Sequence, residues 1–232
     1  MIRLIQFPRA LGVPNPSPFC MKVEILLKMA GLPYECEFAG NPRRGPKGKL
    51  PAIEDGGVVI GDSELIRGHL ERKYGIDFDK GLDKAERAVA HAFARMLEER
   101  TYWTLVYSRW IDGRNWPESR ATFFGGLPPI MRSLVPVLAR RQVRGYLRGQ
   151  GVGRHAPQNI YGMGVADLDA VATQLGDRPF FMGAAPTGVD AVVYPFVENF
   201  IVPPVDSPMR TAALGHANLV AYAQRMRERY FS

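Results

Sequence analysis

Two short stretches, GPKGKLPAIED at residues 45–55 and DSELI at residues 62–66, indicate how the first third of the chain folds. Pro51 opens an otherwise apolar strand, and proline suits only the first residue or the edge of a strand, because it has no N–H for the ladder. The Gly-Gly pair at 56–57 predicts a hairpin turn, and the Asp-Ser pair that opens the second stretch predicts a helix start. The order is therefore strand, strand, helix.

The bond between Leu50 and Pro51 decides whether this region can bind a ligand. If that bond is cis, the chain turns back sharply and leaves the amide and carbonyl of Leu50 unpaired and outward. An extended peptide can pair with such groups as an added strand would, and Ser63 lies where helix N–H groups point at an anion. The pattern thus favours a site for a small acidic peptide. The alternative is structural, since most X–Pro bonds are trans and Asp62-Ser63 can serve only as a helix cap.

Composition limits the class of protein. The 232 residues suit two small domains, and 46% hydrophobic residues suffice for a core. No apolar run approaches the roughly 18 residues that span a bilayer, and no leader precedes the strand at residues 2–7, so we expect no membrane segment and a cytoplasmic protein. Cys20 and Cys36 are too few for a disulfide framework or a metal site, which fits a reducing compartment.

The net charge of +7 raises the question of an anionic partner. Arg140, Arg144 and Arg148 follow one another at helical spacing, a pattern that can attract phosphate or nucleic acid. No interleaved aromatic residues or nucleic-acid motif accompany them, so we interpret this run as a solvated helix face. Nucleic acid is accordingly not the expected partner.

The first 75 residues predict an α/β layer with a mixed sheet. Ser17 and Pro18 form a favoured helix start, with serine at the cap and proline at the first helical position. Residues 76–82 are interpreted as a linker. The predicted elements are strands at residues 2–7, 34–38, 51–54 and 57–60 and helices from Ser17 to Gly31 and from Ser63 to Tyr74.

Residues 83–232 predict an all-helical domain, interrupted near 112–129 and 149–163. Asp83 and Glu86 form a capping-box pattern at its first helix. Thr187 and Asp190 form a second reciprocal cap, before an apolar helix that must be buried. The predicted face of the first helix comprises Ala88, Ala92, Met96, Trp103, Tyr107 and Trp110.

The two halves together resemble the glutathione transferase superfamily over nearly the whole chain. Five segments are similar to its branch of failed-axon-connections and metaxin-like proteins. The resemblance implies a thioredoxin-like α/β N-terminal domain (1–75) and an all-α C-terminal domain (83–232), and it is more specific for this fold than for catalysis. The segments are QFPR at 6–9, SPFCMKVE at 17–24, PKGKLP at 46–51, DSELI at 62–66 and RMLEERTYWTLVYSRW at 95–110.

The ligand that the resemblance implies is glutathione, as co-substrate. Leu50 would pair its backbone with the cysteinyl unit after a cis Pro51. Asp62 and Ser63 would hold the γ-glutamyl ammonium and carboxylate, and Lys49 could reach the glycyl carboxylate. The implied partner is a small electrophilic substrate. Dimers are common in the superfamily, but the sequence shows no self-complementary patch and leaves open whether this chain forms a homodimer.

Ser17 stands where superfamily members carry the Tyr, Ser or Cys that faces the glutathione sulfur. Lowering a thiol pKa from about 8.5 to about 6.5 needs roughly 2.7 kcal/mol. A hydroxyl bond to a charged acceptor supplies about 1.5–3 kcal/mol, and a helix N-terminus adds about 0.3–1 kcal/mol. Ser17 would therefore stabilise a thiolate by donating a hydrogen bond. Thiol-transferring relatives have cysteine at this position, so Cys20 has no partner for a dithiol.

Each of these interpretations has a structural alternative. Ser17 can be a plain cap, and Cys20, in the first helical turn, can be either activated or buried and inert. Tyr102, Trp103, Tyr107 and Arg109 can line an apolar pocket for the second substrate, or the aromatic residues can belong to the core. The whole chain can be a glutathione transferase or a non-catalytic binding or scaffold module.

Overall fold

A four-stranded mixed sheet with the order β2-β1-β3-β4 forms the first layer of the protein. β1 pairs in parallel with β2 and antiparallel with β3, and β4 is antiparallel to β3. This arrangement confirms the α/β prediction. In the computed structural model, which describes residues 1–232, the elements of this layer are β1 (Ile2–Gln6), α1 (Pro18–Met29), β2 (Tyr34–Phe38), β3 (Ala52–Asp55), β4 (Val58–Gly61) and α2 (Ser63–Tyr74).

Local sequence signals place the ends of these elements. Ser17 caps α1, and Pro18 is its first residue. Asp62 caps α2, which ends at Gly75 in the left-handed conformation that glycine adopts without steric cost (φ 66°). Gly56 and Gly57 both have positive φ and form the turn between β3 and β4. The predicted starts of both helices are therefore confirmed.

The second layer is helical and begins with a capping box in which Asp83 and Glu86 satisfy each other's backbone N–H groups. α3 continues through two π-helical segments, Leu97–Thr101 and Tyr107–Ile111, on either side of α4. The helices are α3 (Lys84–Met96), α4 (Tyr102–Val106), α5 (Trp116–Phe124), α6 (Pro129–Gln150), α7 (Pro157–Leu175), α8 (Asp190–Ile201), α9 (Pro208–Gly215) and α10 (Ala217–Phe231).

Three details of the helical half differ from the prediction. The interruption expected near 112–129 contains α5, and the one expected near 149–163 ends where α7 begins at Pro157. α3 buries Ala90 and Ala94 rather than Ala88 and Ala92. The buried positions of this stretch follow helical spacing, and the predicted alanines lie two residues away from that face, because small apolar residues occur on both the buried and the exposed side of α3; the buried positions include Ala90, Ala94, Leu97, Thr101, Leu105 and Ser108.

One continuous core of 36 buried residues joins the two layers. It contains Leu4 and Met21 from the α/β layer and Leu97 and Phe196 from the helical layer. A smaller cluster of five residues lies under the loop before β3 and consists of Ile5, Cys20, Ala39, Leu50 and Ala52. The small cluster packs the first turn of α1 against Leu50, which brings the two predicted halves of the site together.

α8 is the central helix, buried from Asp190 to Phe200. The Asp190 carboxylate accepts hydrogen bonds from the N–H groups of Phe181 and Thr187, both at 2.8 Å, and from the hydroxyls of Thr187 (3.2 Å) and Tyr222 (2.9 Å). The Asp190 half of the predicted cap is therefore present, and the Thr187 hydroxyl donates to the carboxylate instead of capping an N–H.

α6 carries an exposed apolar surface that the sequence interpretation missed. We define this α6 surface by five residues that are between 48% and 77% exposed: Ile130, Met131, Leu134, Val137 and Leu138. Arg140, predicted to lie on a solvated face, instead donates to the carbonyls of Trp110 (2.9 Å) and Ile111 (3.0 Å) and stacks over the Trp116 ring.

None of the helices combines the length and the hydropathy needed to cross a bilayer. Clusters of three or more histidine, cysteine, aspartate or glutamate side chains that could ligate a metal ion are also absent.

Candidate functional site

Ser17 is presented at the N-terminus of α1 by a loop with buried polar anchors. Its N–H donates to Asn15 Oδ1 at 3.0 Å, and the fully buried Asn15 amide donates to the carbonyl of Phe7 at 2.6 Å. The Ser17 hydroxyl oxygen accepts from the Cys20 N–H at 3.4 Å. No oxygen or nitrogen atom of the chain accepts its proton, and the sulfur beside it belongs to the neutral Cys20 thiol, so a half-buried hydroxyl donor remains available to a ligand where the helix dipole favours negative charge.

Leu50 supplies backbone groups beside that hydroxyl. The Leu50–Pro51 peptide bond is cis, which confirms the prediction. Neither the N–H nor the carbonyl of Leu50 takes part in a hydrogen bond within the chain. The Leu50 side chain packs in the small cluster with Cys20 from the first turn of α1, so its free backbone groups lie close to the helix start.

The turn before Leu50 is basic and tightly folded. A side chain at Gly45 is impossible in this conformation, because its Cβ would lie 1.8 Å from the carbonyl oxygen of Lys49. Arg44 pairs with Glu37 at 2.7 Å, whereas Arg43, Lys47 and Lys49 are exposed without an acidic partner. The turn therefore offers free cations at the edge of the site.

Asp62 and Ser63 open α2 on the same edge of the sheet. Asp62 has a positive φ of 83°, which is unusual for a residue other than glycine. Its Oδ1 accepts from the N–H groups of Glu64 (2.9 Å) and Leu65 (3.4 Å), which leaves Oδ2 without a partner. Ser63 is buried as the first residue of the helix. Asp62 is thus a cap that keeps one carboxylate oxygen free, in a strained conformation of the kind that recurs at ligand sites.

A buried ionic cluster behind Ser63 was not predicted from the sequence. Lys22, which is 1% exposed, donates to Glu98 at 2.8 Å and to Glu64 at 2.7 Å. Arg95 contacts both carboxylates. Burial by itself would raise the pKa of Glu64, but the charge and hydrogen bond of Lys22, with the charges of Arg67 and Arg95, hold that pKa below the ordinary value. The cluster joins α1 and α2 to the end of α3 and the π segment that follows it. The sequence feature that could have indicated it is a lysine within the mostly apolar segment PFCMKVEILL.

The sequence makes Arg109 a candidate for lining an apolar pocket, but in the structure Arg109 is buried behind Ser17. It is 4% exposed. Its Nη1 donates to the carbonyl of Pro16 at 2.6 Å, and its Nη2 donates to the carbonyl (3.1 Å) and Oδ1 (2.7 Å) of Asn199. Burial lowers the pKa of the guanidinium to about 10, so it remains charged at neutral pH.

The aromatic residues divide between the site and the core. Tyr102 packs edge to face on Phe19, in the first turn of α1, with ring centroids 4.9 Å apart, and on Trp103 at 5.3 Å. Tyr107 instead packs on Tyr161 at 5.6 Å. The apolar neighbours of the Ser17 region are therefore Phe19, Tyr102 and Trp103, and Tyr107 belongs to the helical core.

Cys20 is fully buried, and burial raises the pKa of its thiol to about 12. This favours the inert alternative, because a cysteine reacts as its thiolate.

A cavity of about 450 Å³ lies between α2 and α3. Glu64, Arg67, Asp79 and His91 are among its lining residues, whereas Ser17 and Leu50 are not. It is therefore a separate cavity from the site formed by the hydroxyl and the free backbone groups.

Comparisons with known sequences agree with this geometry. Residues 18–115 match the family model described as "Glutathione S-transferase N-terminal domain", and residues 164–226 match "Glutathione S-transferase, C-terminal domain". The chain is 32% identical to isoprene-epoxide–glutathione S-transferase of Rhodococcus sp. (strain AD45), over 99% of this chain and 99% of that protein.

Other relatives have names that indicate no transferase. Failed axon connections of Drosophila melanogaster is 30% identical over 100% of this chain, which spans only 58% of that longer protein. Metaxin-1 of Macaca fascicularis is 29% identical over 95% of this chain and 72% of its own length.

Solved structures share the fold. A glutathione transferase of Phanerochaete chrysosporium superposes with a TM-score of 0.67 at 18% identity, over 100% of this chain and 98% of that one. A glutathione S-transferase of Methylobacterium radiotolerans, in complex with glutathione sulfonate, superposes with a TM-score of 0.61 at 21% identity, over 98% and 91%. From the two matched domains and a similarity that runs the full length of a named transferase, the chain belongs to the glutathione S-transferase family, in the branch that it shares with Failed axon connections and the metaxins.

Proposed function

We propose that the protein binds glutathione and transfers it to a small apolar electrophile. The observation that carries this proposal is that an unpaired hydroxyl donor, on Ser17, lies near unpaired backbone groups, on Leu50. The Ser17 hydroxyl has no oxygen or nitrogen acceptor in the chain, and the neighbouring Leu50 amide and carbonyl have no partner. A peptide thiol held edge-on along Leu50 would satisfy both groups. Unsatisfied donors and acceptors grouped in this way favour a ligand over a purely structural turn.

The remaining residues are assigned from their charge and position. Asp62, with its free Oδ2, would bind the γ-glutamyl ammonium, and Ser63 at the start of α2 would bind the γ-glutamyl carboxylate. Lys49, exposed and without an acidic partner, would bind the glycyl carboxylate. Pro51 follows Leu50 through the cis bond and immediately precedes β3.

Ser17 would act as a hydrogen-bond donor to the thiolate and not as a nucleophile. The sulfur would attack an electrophilic carbon of the second substrate, whose leaving oxygen or other group departs with the bonding electrons and is protonated by water. One relative is named for an epoxide substrate, and an epoxide beside Phe19, Tyr102 and Trp103 would suit this chemistry. We also propose a cytoplasmic location, supported by two cysteines that are both unpaired.

Calorimetric titration and ultraviolet spectroscopy test this proposal together. Wild type should bind glutathione and show a rise in thiolate absorbance near neutral pH. Ser17→Ala should lower turnover roughly 10- to 100-fold, the equivalent of one hydrogen bond to a charged group, with a much smaller effect on affinity. Asp62→Ala should weaken binding itself.

Ser207→Ala is the matched control, because Ser207 caps α9 by accepting from the Arg210 N–H at 3.2 Å, as Ser17 caps α1. It removes a serine cap away from the site and should leave turnover unchanged. Equal turnover of Ser17→Ala and wild type would reject the catalytic proposal.

The second candidate is a non-catalytic binding or scaffold module, and the α6 surface favours it. Five large apolar side chains exposed along one helix are an uncommon feature of a monomer and are typical of a contact surface. The same surface is our candidate for pairing of two chains as a homodimer. Light scattering should show a dimer that Leu134→Glu converts to a monomer, while Leu65→Glu, an exposed leucine on α2, should leave the dimer intact. Absence of any thiolate signal with glutathione would favour this module over the enzyme.

A further inference from the structure

Arg109 is a buried cation that the fold does not neutralise. All of its hydrogen-bond acceptors are uncharged: the carbonyl of Pro16 and the carbonyl and side-chain oxygen of Asn199. No carboxylate forms an ion pair with it, and its Nε has no partner although it is fully buried. A desolvated charge in such a place is costly, since it loses its hydration without gaining a counter-ion.

The position of this charge connects it to Ser17. The carbonyl that accepts from Nη1 at 2.6 Å belongs to the peptide bond between Pro16 and Ser17. The guanidinium therefore lies one peptide unit behind the hydroxyl, at the N-terminus of α1, where the helix dipole already favours an anion. The Ser17 N–H is fixed on its other side by Asn15 Oδ1 at 3.0 Å.

The surroundings leave the charge free to act on that anion. Tyr102, from α4, is the titratable side chain that interacts with Arg109, and burial raises its pKa, so it is neutral. α8 contributes the amide of Asn199, and the loop before α1 contributes only carbonyl groups. Cys20, in the first turn of α1, has its thiol pKa raised to about 12 by burial and is neutral as well, and Glu24, farther along α1, is bound by Gln6 at 2.9 Å and Tyr34 at 3.2 Å.

We propose that Arg109 is a positioning residue for the transfer reaction. Arg109 holds the Pro16–Ser17 peptide, and its unneutralised charge stabilises the thiolate that forms at the Ser17 hydroxyl. The inference rests on the proposed glutathione transferase function. A neutral donor could form the same hydrogen bonds to the three oxygens without the free-energy cost of burying a charge. Stabilisation of the thiolate explains why a charged side chain occupies this position.

The test is the pH midpoint of the thiolate absorbance of bound glutathione, measured on the full chain. Arg109→Gln keeps an amide donor but removes the charge, and we expect its midpoint to rise by about one pH unit, a tenfold fall in thiolate fraction below the midpoint. Arg109→Lys keeps the charge and should restore most of the difference. The affinity for glutathione should change little in either variant.

A second pair of variants tests the effect of the charge without changing Arg109 itself. Asn199→Asp places a carboxylate at the oxygen that lies 2.7 Å from Nη2 and should neutralise the guanidinium. Both variants lose the Nδ2 donations to the carbonyls of Asn15 (3.3 Å) and Pro195 (2.9 Å), whereas Asn199→Leu, of similar size, also loses the acceptor for Nη2 and adds no charge. Circular dichroism verifies that each variant is folded. We expect the midpoint to rise in Asn199→Asp and to remain at the wild-type value in Asn199→Leu.

The outcomes separate the two proposals. A wild type that binds glutathione and ionises it, with unmoved midpoints in Arg109→Gln and Asn199→Asp, overturns the role of Arg109 and leaves the proposed function standing. A wild type that gives no thiolate signal overturns both. A midpoint that rises equally in Asn199→Asp and Asn199→Leu shows that Arg109 acts only through packing, which also overturns the inference.

Discussion

Lys22 and Arg109 are two buried cations on either side of the same helix start, and they are treated differently. Lys22 projects from α1 and is bound by two carboxylates, Glu98 at 2.8 Å and Glu64 at 2.7 Å. Arg109 approaches the residue before Ser17 and is bound by neutral oxygens alone. The first charge is cancelled where it holds the two layers together, and the second remains uncancelled beside the candidate site. A neutralised charge serves stability, and a free charge is available to a ligand.

Asp190 gives the comparison a third member. It is a buried carboxylate with no cation, and burial raises its pKa, but four donors satisfy its oxygens. Arg109 differs because its Nε has no partner and because it lies next to a hydroxyl with an unused proton. Burial of a charge is therefore insufficient to indicate function; the unsatisfied groups around it are what separate the two cases.

The largest expected effect is that of Lys22→Met, which leaves the buried carboxylate of Glu98 without its cation. Removing one partner of a buried pair costs roughly 3–5 kcal/mol. The free energy of unfolding, measured by urea titration, should fall by that amount. Lys28→Met, from a half-buried lysine of the same helix that lies 3.7 Å from Glu24, should cost about 1 kcal/mol or less. Similar losses in the two variants would contradict the idea that Lys22 is the central cation of the ionic cluster.

Arg109→Met should destabilise the fold by less, about 1–3 kcal/mol, because it leaves neutral carbonyl groups and not an ion without partners. The same urea titration measures it, and Arg87→Met, which removes an exposed pair with Asp77, is the control for loss of a surface arginine. A loss as large as that of Lys22→Met would mean that Arg109 is chiefly structural and would remove the contrast.

Thr187→Ala should cost about 1 kcal/mol, since Asp190 loses the hydroxyl donor at 3.2 Å but keeps the Thr187 N–H. Thermal unfolding is a sufficient measurement, with Thr173→Ala as the control, because that hydroxyl donates only to the carbonyl of Asp169 on an exposed helix face. An unchanged melting temperature for Thr187→Ala would show that the remaining three donors already satisfy Asp190.

The smallest expected effect is the pH dependence contributed by Glu64. Burial raises the pKa of Glu64, but Lys22, Arg67 and Arg95 together hold it below the ordinary value of 4.5, so the ionised form stabilises the fold above that pH. This contribution is lost as the pH falls through the folded-state pKa. Because the side chain is 48% exposed, its size is about 1 kcal/mol or less. Urea titrations between pH 6 and 3 should fall less steeply for Glu64→Gln than for wild type; parallel curves would contradict the ion pair.

Several features of the fold follow from local sequence alone. Ser17-Pro18, Asp62-Ser63 and the Asp83–Glu86 box start helices at the predicted residues, and the two glycines at 56–57 form the predicted turn. These features depend on neighbours within four residues, since caps and turns are satisfied by the adjacent backbone. The local pattern predicted a small acidic peptide as ligand, and the resemblance to a family narrowed that prediction to glutathione.

Other features were decided only by the tertiary structure. Lys22 meets Glu98 and Arg109 meets Pro16 across separations of 76 and 93 residues, and no short pattern encodes such pairs. Tertiary packing also decided that α3 buries Ala90 and Ala94 rather than Ala88 and Ala92, and that Arg140 donates to two carbonyls instead of facing solvent. The sequence by itself determined where helices and turns begin, because those bonds are local; whether a buried charge is neutralised depended on which distant groups the fold brings beside it.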